Sequence, residues 1–218
     1  MNNYPTLTGA RVRLRPMEYA DAGLLVNAAS DGELWKLPFT LIPSADTVDD
    51  YIRIALTGRE QGTMLPFIIE DIASAAAIGT TRLWKIDRNN RKLEIGGSWL
   101  SASWQRTWVN SEAKFLLLQY AFETLNCVRV QFTTDVTNEK SRNAILRLGA
   151  KLEGIVRNER IMADGRKRDS IRFSVIDDEW SRVKQDLLLR LKAQGAGSDA
   201  QAAANSSFTS RMGVTGAP

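Results

Sequence analysis

The segment WQRTWVN (Trp104–Asn110) lies between a predicted strand and a predicted helix, and this position could give it a chemical role. The first backbone N–H groups of a helix have no partner within the helix, so a loop that enters a helix can hold an anion such as a phosphate. Such loops usually carry glycines, whereas this one carries Trp108 and Asn110. A bulky residue held at positive φ costs about 1 kcal/mol or more, although asparagine tolerates that geometry. The loop is therefore either an anion site or only a turn in which Trp108 packs against the sheet.

The pair Gly96-Gly97 lies in the middle of KLEIGGSWL (Lys92–Leu100), a segment that otherwise has the pattern of a strand. Glycine weakens a strand, and in that position it often marks a bulge or the close approach of a ligand or another backbone. A plain kink in the strand is the alternative interpretation.

The composition narrows the chemistry that these segments could support. The chain has 218 residues, which fits one domain, and it contains no histidine. This excludes histidine-based triads and most zinc sites, so we expect no metal and proton transfers that use carboxylate, Tyr, Ser, Lys or water. Cys127 is the single cysteine, and we interpret it as a small buried hydrophobic residue rather than a reactive thiol. We find no secretory signal and no apolar run of about 20 residues, and we expect a cytoplasmic protein with no membrane contact.

The periodicity of apolar residues predicts a mixed α/β domain over residues 1–194. The predicted helices cover Glu18–Ser30, Ala45–Leu56 with Ser44 as N-cap, Ser111–Leu125, Asn138–Gly149 with these two residues as caps, and a final helix from Asp177. The predicted strands are Arg11–Pro16, Met64–Asp71, Ala76–Asp87, Lys92–Leu100, Cys127–Asp135, and a hairpin over Lys151–Ile176 that turns at Asp164-Gly165. Residues 195–218 are rich in Ala, Gly and Ser, so we expect a tail that is disordered or was added for expression.

These motifs, in this order along the chain, resemble those of the GNAT acetyltransferases, specifically the RimJ/RimL-like branch. Members of that branch act on ribosomal-protein termini, polyamines, amino acids and antibiotics. The resemblance covers roughly residues 7–190, and its most specific part runs from WQRTWVNSEAKFLLLQYAF to AILRLGAKLEGIVR. It implies a twisted mixed sheet, flanked by helices, that splays open beside a bulge in its fourth strand. Acetyl-CoA would lie in this splay, with its pantetheine arm pairing like an added strand with the backbone at Ser98, Trp99 and Leu100.

The resemblance also assigns further cofactor-binding positions. The family pattern Gln/Arg-x-x-Gly-x-Gly/Ala falls on Gln105, Trp108 and Asn110, of which Gln105 alone matches. By resemblance, the pyrophosphate would be held by the loop residues Gln105, Arg106, Thr107, Trp108, Val109 and Asn110, with added charge from Arg106 and Arg142. Asn138 would bond the pantetheine, be a plain helix cap, or do both.

The acceptor chemistry implied by the family is attack of a neutral amine on the thioester. Glu94 would act as the base, because an amine is largely protonated near pH 7. Backbone N–H groups near Trp99 would stabilise the oxyanion. Ser141, at a position near which many family members carry a tyrosine, or a water would reprotonate the leaving thiolate. Alternatively, Glu94 is simply a strand carboxylate paired with Arg or Lys.

The acceptor would be a protein N-terminus or a small-molecule amine, in a pocket that includes Trp35, Leu37, Phe39 and the segment Arg157–Arg160. The hairpin over Lys151–Ile176 is rich in arginine, and it is either a solvated surface or a contact for an acidic acceptor or the CoA 3′-phosphate. Its basic residues are Arg157, Arg160, Arg166, Lys167, Arg168 and Arg172. The sequence does not favour nucleic acid, because aromatic residues are not interleaved with these charges. The resemblance implies a possible homodimer. The rival hypothesis is a catalytically degraded CoA-binding or protein-interaction module.

Overall fold

The computed structural model describes residues 4–162 and 164–212, with side chains described up to residue 194. Within these ranges, eight strands form one mixed sheet in the order β1-β2-β3-β4-β5-β6-β8-β7. The strands are β1 Leu7–Thr8, β2 Val12–Pro16, β3 Met64–Asp71, β4 Ala77–Asp87, β5 Lys92–Leu100, β6 Arg129–Asp135, β7 Lys151–Ile161 and β8 Lys167–Ile176. The helices are α1 Ala22–Ser30, α2 Val48–Glu60, α3 Val109–Gln119, α4 Glu139–Arg147 and α5 Asp177–Met212.

Helices cover both faces of the sheet, and the alternation of side chains along the strands separates two cores. Leu93, Ile95 and Leu100 of β5 pack in the larger cluster with Leu117 and Leu118 of α3. On the opposite face, Trp99 packs with residues of α1 and α2, among them Leu25 and Ile52. The two faces of β5 therefore contact different helices. In the same larger cluster, Cys127 is buried, and burial raises the pKa of its thiol, which agrees with an inert hydrophobic residue.

The sheet opens between β5 and β6, and β5 bulges close to that opening. The two strands are parallel and pair over Lys92–Glu94 against Arg129–Gln131. Beyond this point, β6 continues to pair with β8, while β5 continues alongside β4. On β4 the step from Arg82 to Thr80 spans two residues, but on β5 the facing step from Gly96 to Trp99 spans three. This extra residue is the bulge. The mixed sheet that the resemblance implied, bulged and splayed at its fourth strand, is therefore confirmed; the strand is β5 here because the two-residue β1 is also counted.

Most predicted elements are present, with corrections at their ends. The second helix begins at Val48, with Thr47 rather than Ser44 at its N-cap, so the predicted start at Ala45 is wrong. The sequence also gave no indication of β1, or of the π-helical turn Tyr120–Thr124 that extends α3. The backbone of α5 reaches Met212, within the segment for which we expected disorder, while residues 213–218 lie outside the described ranges. The prediction for the tail as a whole stays a prediction.

Across the described ranges, no helix is both long and apolar enough to span a membrane.

Candidate active site

The bulge of β5 depends on Gly97, which has a φ of +57°. A Cβ at this position would lie 2.4 Å from Nε of Arg82 on the neighbouring strand β4, a distance that real Cβ atoms do not show. Positive φ and the lack of space both require glycine here. The sequence therefore places the irregularity of the strand correctly, and the structure identifies which of the two glycines carries the left-handed geometry.

Glu94 lies on β5 just before the bulge, and its side chain is 2% exposed. Its Oε2 accepts hydrogen bonds from Nζ of Lys85 and from Nε2 of Gln131, both at 2.8 Å. The side chain lines a cavity of about 480 Å³, whose wall also includes Lys92, Arg129 and Arg172. Glu94 is therefore a strand carboxylate paired with a lysine, as the alternative interpretation expected. These contacts also fix the carboxylate beside a cavity, at the last paired position before the strands separate.

The same face of the bulge is supported by α2. The hydroxyl of Tyr51 accepts a hydrogen bond of 2.7 Å from Nη2 of Arg82 and one of 3.3 Å from Nε1 of Trp99. The guanidinium of Arg82 also lies 5.1 Å from the centre of the Tyr51 ring. Together these contacts fix the side chain of Trp99 and the strand that faces the bulge.

On the opposite face of the sheet, which packs against α3, the side chain of Lys114 contacts the bulge. Its Nζ donates to Oγ1 of Thr81 at 3.1 Å and makes a short hydrogen bond to Oγ of Ser98. The two hydroxyl oxygens are themselves 2.7 Å apart. Burial lowers the pKa of Lys114 to about 7.

The loop that precedes α3 gives Trp108 an ordinary conformation. Trp108 has φ −68° and ψ −19°, stands at the N-cap position of α3, and packs edge-on against Trp104 at 6.2 Å. The guanidinium of Arg11 lies 4.0 Å from the centre of its ring. The positive φ in this loop falls on Arg106, at +63°. Trp108 thus packs as the turn interpretation expected, without taking up the strained geometry.

The other loop residues have mixed partners. Gln105 donates from Nε2 to the carbonyl of Leu100 at 3.0 Å, and Thr107 donates from Oγ1 to the carbonyl of Trp104 at 2.8 Å. The N–H of Val109 donates to Oγ1 of Thr107 at 3.3 Å, while the Val109 side chain is fully buried. Asn110 follows in the first turn of α3. The assignment of Gln105–Asn110 to the pyrophosphate stays a prediction, as does that of Trp99 and Leu100 to the pantetheine.

At the N-terminus of α4, the structure confirms that Asn138 caps the helix, whereas the predicted roles of the residues there in binding and catalysis stay predictions. Oδ1 of Asn138 accepts a 3.0 Å hydrogen bond from the N–H of Ser141, so Asn138 is the N-cap that the sequence predicted. Arg142 donates from Nη1 to the carbonyl of Val136 at 3.1 Å. The roles of Asn138 and Arg142 toward the cofactor, and of Ser141 as acid, are not tested by these contacts.

Asp135, at the end of β6, joins the arginine-rich hairpin to the loop after α1. Its Oδ2 accepts a hydrogen bond of 2.8 Å from Nη2 of Arg166, and Nε of Arg168 lies 3.9 Å away. Burial alone would raise the pKa of the Asp135 carboxyl, but hydrogen bonds from Thr137 and Arg166 outweigh it and hold the pKa below its usual value. Arg168 also donates to the carbonyl of Phe39 at 3.2 Å. Part of the hairpin charge is therefore used within the fold rather than left in solvent.

Four contributors to this site were missed by sequence reasoning: Tyr51, Arg82, Thr81 and Lys114. The burial of Lys114 could have been recognised, because it falls four and seven positions before the buried Leu118 and Ala121 on one helix face. The hydrogen bond between Arg82 and Tyr51 joins residues 31 positions apart, so no local sequence pattern predicts it.

Comparison with known proteins places this geometry among the acetyltransferases. The family model described as acetyltransferase (GNAT) domain matches residues 11–151. The uncharacterized N-acetyltransferase p20 of Bacillus licheniformis is 30% identical over 181 residues, which cover 81% of this chain and 98% of that protein. YdaF of Bacillus subtilis, provisionally named a ribosomal N-acetyltransferase, is 34% identical over 106 residues, which cover 49% of this chain and 57% of that protein.

The fold is also that of a solved relative. The structure of Mycobacterium smegmatis RimJ in complex with CoA-disulfide superposes with a TM-score of 0.75, covering 86% of this chain and 95% of that one. At 19% identity, this likeness supports the fold alone.

Proposed function

Because this chain belongs to the GNAT acetyltransferase family and is an acyltransferase, we propose that it transfers the acetyl group of acetyl-CoA to an amine in a ternary complex, as a member of the RimJ/RimL-like branch. The observation that carries the proposal is the position of Glu94. This carboxylate lies at the last paired position of β5 and β6, beside a cavity and before the bulge at Gly97. An acyl donor in the opening between the strands and an amine in the cavity would then meet near Glu94.

The acetyl-CoA site that we propose uses the residues around this opening. The pantetheine would pair with the backbone at Trp99 and Leu100. The carbonyl of Leu100 would then accept a hydrogen bond from the cofactor in place of the one that it accepts from the side-chain amide of Gln105. The pyrophosphate would face the loop Gln105–Asn110 and the first turn of α3, with Arg106 and Arg142 nearby as cations. Asn138 would reach the pantetheine from α4.

The proposed reaction needs no covalent enzyme intermediate. Glu94 takes a proton from the ammonium form of the acceptor, directly or through a water, and the amine attacks the thioester carbonyl. Both hydrogen bonds to Glu94 go to Oε2, so Oε1 is the atom that we assign to this proton. As the C–N bond forms and the C–S bond breaks, Ser141 or a water protonates the thiolate of CoA. The second proton that the attacking nitrogen loses in becoming an amide replaces the one that Ser141 or the water has given up. Holding donor and amine together supplies much of the acceleration.

The acceptor that we propose is a protein N-terminus or a small-molecule amine, handled in the cytoplasm. The loop that carries Trp35, Leu37 and Phe39 would form one wall of its site, because Arg168 of the hairpin holds the carbonyl of Phe39. Assembly as a homodimer stays a prediction.

The test is a Glu94→Gln variant, assayed for CoA release with peptides that begin with Ser, Ala or Met and with spermidine. We expect acetyl transfer to fall about 10²- to 10³-fold, since a positioned base typically contributes this much. The calorimetric Kd for acetyl-CoA should not change. Glu33→Gln is the matched control, because Glu33 also pairs with a lysine, at 2.7 Å, but is 59% exposed.

Two results would contradict the proposal in different ways. Equal rates for Glu94→Gln and the wild type would remove Glu94 as the base. Saturable binding of acetyl-CoA without turnover of any of these amines would favour the rival hypothesis, a catalytically degraded CoA-binding module.

A further inference from the structure

Lys114 is a buried amine for which the proposed reaction has no direct use. It is 7% exposed, although lysine is almost never this buried without a partner of opposite charge. Among the described residues, its partners are the hydroxyls of Thr81 and Ser98. If Lys114 only filled space in the core, methionine or leucine would do so without the cost of burying an amine. The presence of the nitrogen therefore needs an explanation.

The groups around Lys114 offer no compensating charge. Burial is the one cause of its lowered pKa, with no contribution from a nearby charge. On α3 itself, the carboxylate of Glu112 accepts hydrogen bonds from the N–H groups of Ala10 and Arg11. On α5, Glu179 pairs with Lys151, and Lys184 pairs with Glu123. The charged side chains of the strands beneath Lys114 belong to the opposite face of the sheet, namely Arg13 and Arg15 of β2, Arg82 of β4 and Glu94 of β5.

The two hydroxyls that Lys114 contacts stand on either side of the irregular pairing. Thr81 is on β4, between Thr80 and Arg82, and Ser98 is on β5, between Gly96 and Trp99. Ser98 is within the stretch that adds the extra residue, and its Oγ lies 3.3 Å from the carbonyl of Gly96. The nitrogen of Lys114 thus joins the bulged strand to its straight neighbour, where the regular ladder of backbone hydrogen bonds is interrupted.

We propose that Lys114 is a positioning residue of the acetyl-CoA site, which holds the bulge of β5 through Ser98 and Thr81 in the geometry that the cofactor requires. The proposal rests on the proposed function, because it assigns the strand after the bulge to the pantetheine. It extends that function by adding a residue that touches neither cofactor nor acceptor.

The protonation state of Lys114 makes the proposal testable. A neutral amine both donates and accepts, and so it can join two hydroxyls within an apolar core. An ammonium at the same place must draw in water or move toward solvent, because a buried charge without a partner is costly. With a pKa of about 7, this change falls within the range in which binding can be measured. The bulge should therefore hold its geometry above neutral pH and lose it below.

The first measurement is calorimetric titration of acetyl-CoA between pH 6 and pH 9 into the wild type, Lys114→Met and Lys114→Gln. We expect wild-type affinity to fall about tenfold between pH 8 and pH 6, about the loss of one hydrogen bond of ordinary strength. Lys114→Met should bind about tenfold more weakly at pH 8, without this transition. Lys114→Gln, which can still bond both hydroxyls, should recover part of the affinity and also lack the transition. Lys184→Met, on the surface of α5, is the control and should follow the wild type.

The second measurement uses the protein without acetyl-CoA, so it is independent of the proposed function. Amide hydrogen exchange at Gly97, Ser98 and Trp99 should be about tenfold faster in Lys114→Met than in the wild type at pH 8. A Ser98→Ala variant should give the same increase, and the double variant should add nothing further, because both changes remove one connection.

The outcomes separate the two proposals. A wild-type chain that does not bind acetyl-CoA overturns the proposed function and, with it, the cofactor role of Lys114, while the exchange rates still decide whether Lys114 holds the bulge. Lys114→Met with wild-type affinity, wild-type pH dependence and wild-type exchange would overturn the proposal for Lys114 alone.

Discussion

Glu94 and Lys114 are two buried ionisable side chains on opposite faces of β5. Glu94 is paired with a group of opposite charge, whereas the partners of Lys114 are neutral. Glu94 has the ammonium of Lys85 at 2.8 Å and the amide of Gln131 at the same distance. Lys114 has two hydroxyls and, in the part of the chain that the structure describes, no carboxylate. A buried group with a counter-charge can keep its charge, whereas one with neutral partners tends to give it up. The face that packs against α2 therefore contains an ion pair, and the face that packs against α3 contains hydrogen bonds between neutral groups.

The largest effect that we expect tests the uncharged side of this comparison. Lys114 has a pKa of about 7 in the folded protein, against 10.5 for a lysine exposed to water. Between these values the unfolded chain binds a proton that the folded chain does not, so wild-type stability rises with pH across this window. At pH 7 the cost is about 4 kcal/mol, of which the two hydrogen bonds return about 2. Lys114→Met should therefore raise the free energy of unfolding by about 2 kcal/mol at pH 7.

The same balance predicts that the variant loses its advantage as the pH rises. At pH 10 the unfolded lysine is still mostly protonated, but the cost of keeping Lys114 neutral in the fold has fallen to about 1 kcal/mol. The two hydrogen bonds now outweigh that cost, so Lys114→Met should be less stable than the wild type. Urea unfolding at pH 7, 8.5 and 10 measures the change. A difference between variant and wild type that stays constant over this range would show that Lys114 is not held neutral in the fold.

The second prediction concerns the bulge that separates the two environments. Gly97→Ala meets both a positive φ and a Cβ at 2.4 Å from Nε of Arg82, whereas Gly62→Ala meets a positive φ of +69° with nothing within 4 Å. The shared backbone cost is about 1 kcal/mol, and crowding adds about 1 to 2 kcal/mol at Gly97 alone. Denaturant unfolding of the two variants should therefore differ by about that added amount. Equal losses would mean that Arg82 moves aside freely and does not fix the bulge.

How far the sequence predicts these environments differs from residue to residue. The bounds of Met64–Asp71 and Lys92–Leu100 match the structure, because apolar runs flanked by turn residues define strands well. Gly96-Gly97 indicated a bulge, but two adjacent glycines do not show which one takes positive φ. Trp99 lies on the same face of the sheet as Glu94 because of the bulge, since an extra residue reverses the alternation of the side chains that follow it.

The partners of each buried charge were beyond sequence reasoning for a different reason. Glu94 meets Gln131 from β6, and Lys114 meets Thr81 from β4, through pairings that exist once the sheet has formed. Such contacts depend on register between distant segments, which a local pattern does not encode. The helix cap at Asn138 was predicted because its partner, Ser141, is three residues away.

The smallest effect that we expect tests the charged side of the comparison. Lys85→Met removes the cation beside Glu94, and Lys36→Met removes the cation beside Glu33. The N–O distances of the two pairs are nearly equal, at 2.8 Å and 2.7 Å, but the Glu94 side chain is 2% exposed and that of Glu33 is 59% exposed. Breaking a buried pair is costly because it strands a charge, whereas exposed pairs contribute little. Because Lys85 is itself half-exposed, we expect a loss of about 1 kcal/mol for Lys85→Met and a negligible loss for Lys36→Met, measured by urea unfolding at pH 7. Equal losses for the two variants would mean that water already solvates Glu94 through the cavity, and the contrast with Lys114 would then reflect access to water rather than the presence of a counter-charge.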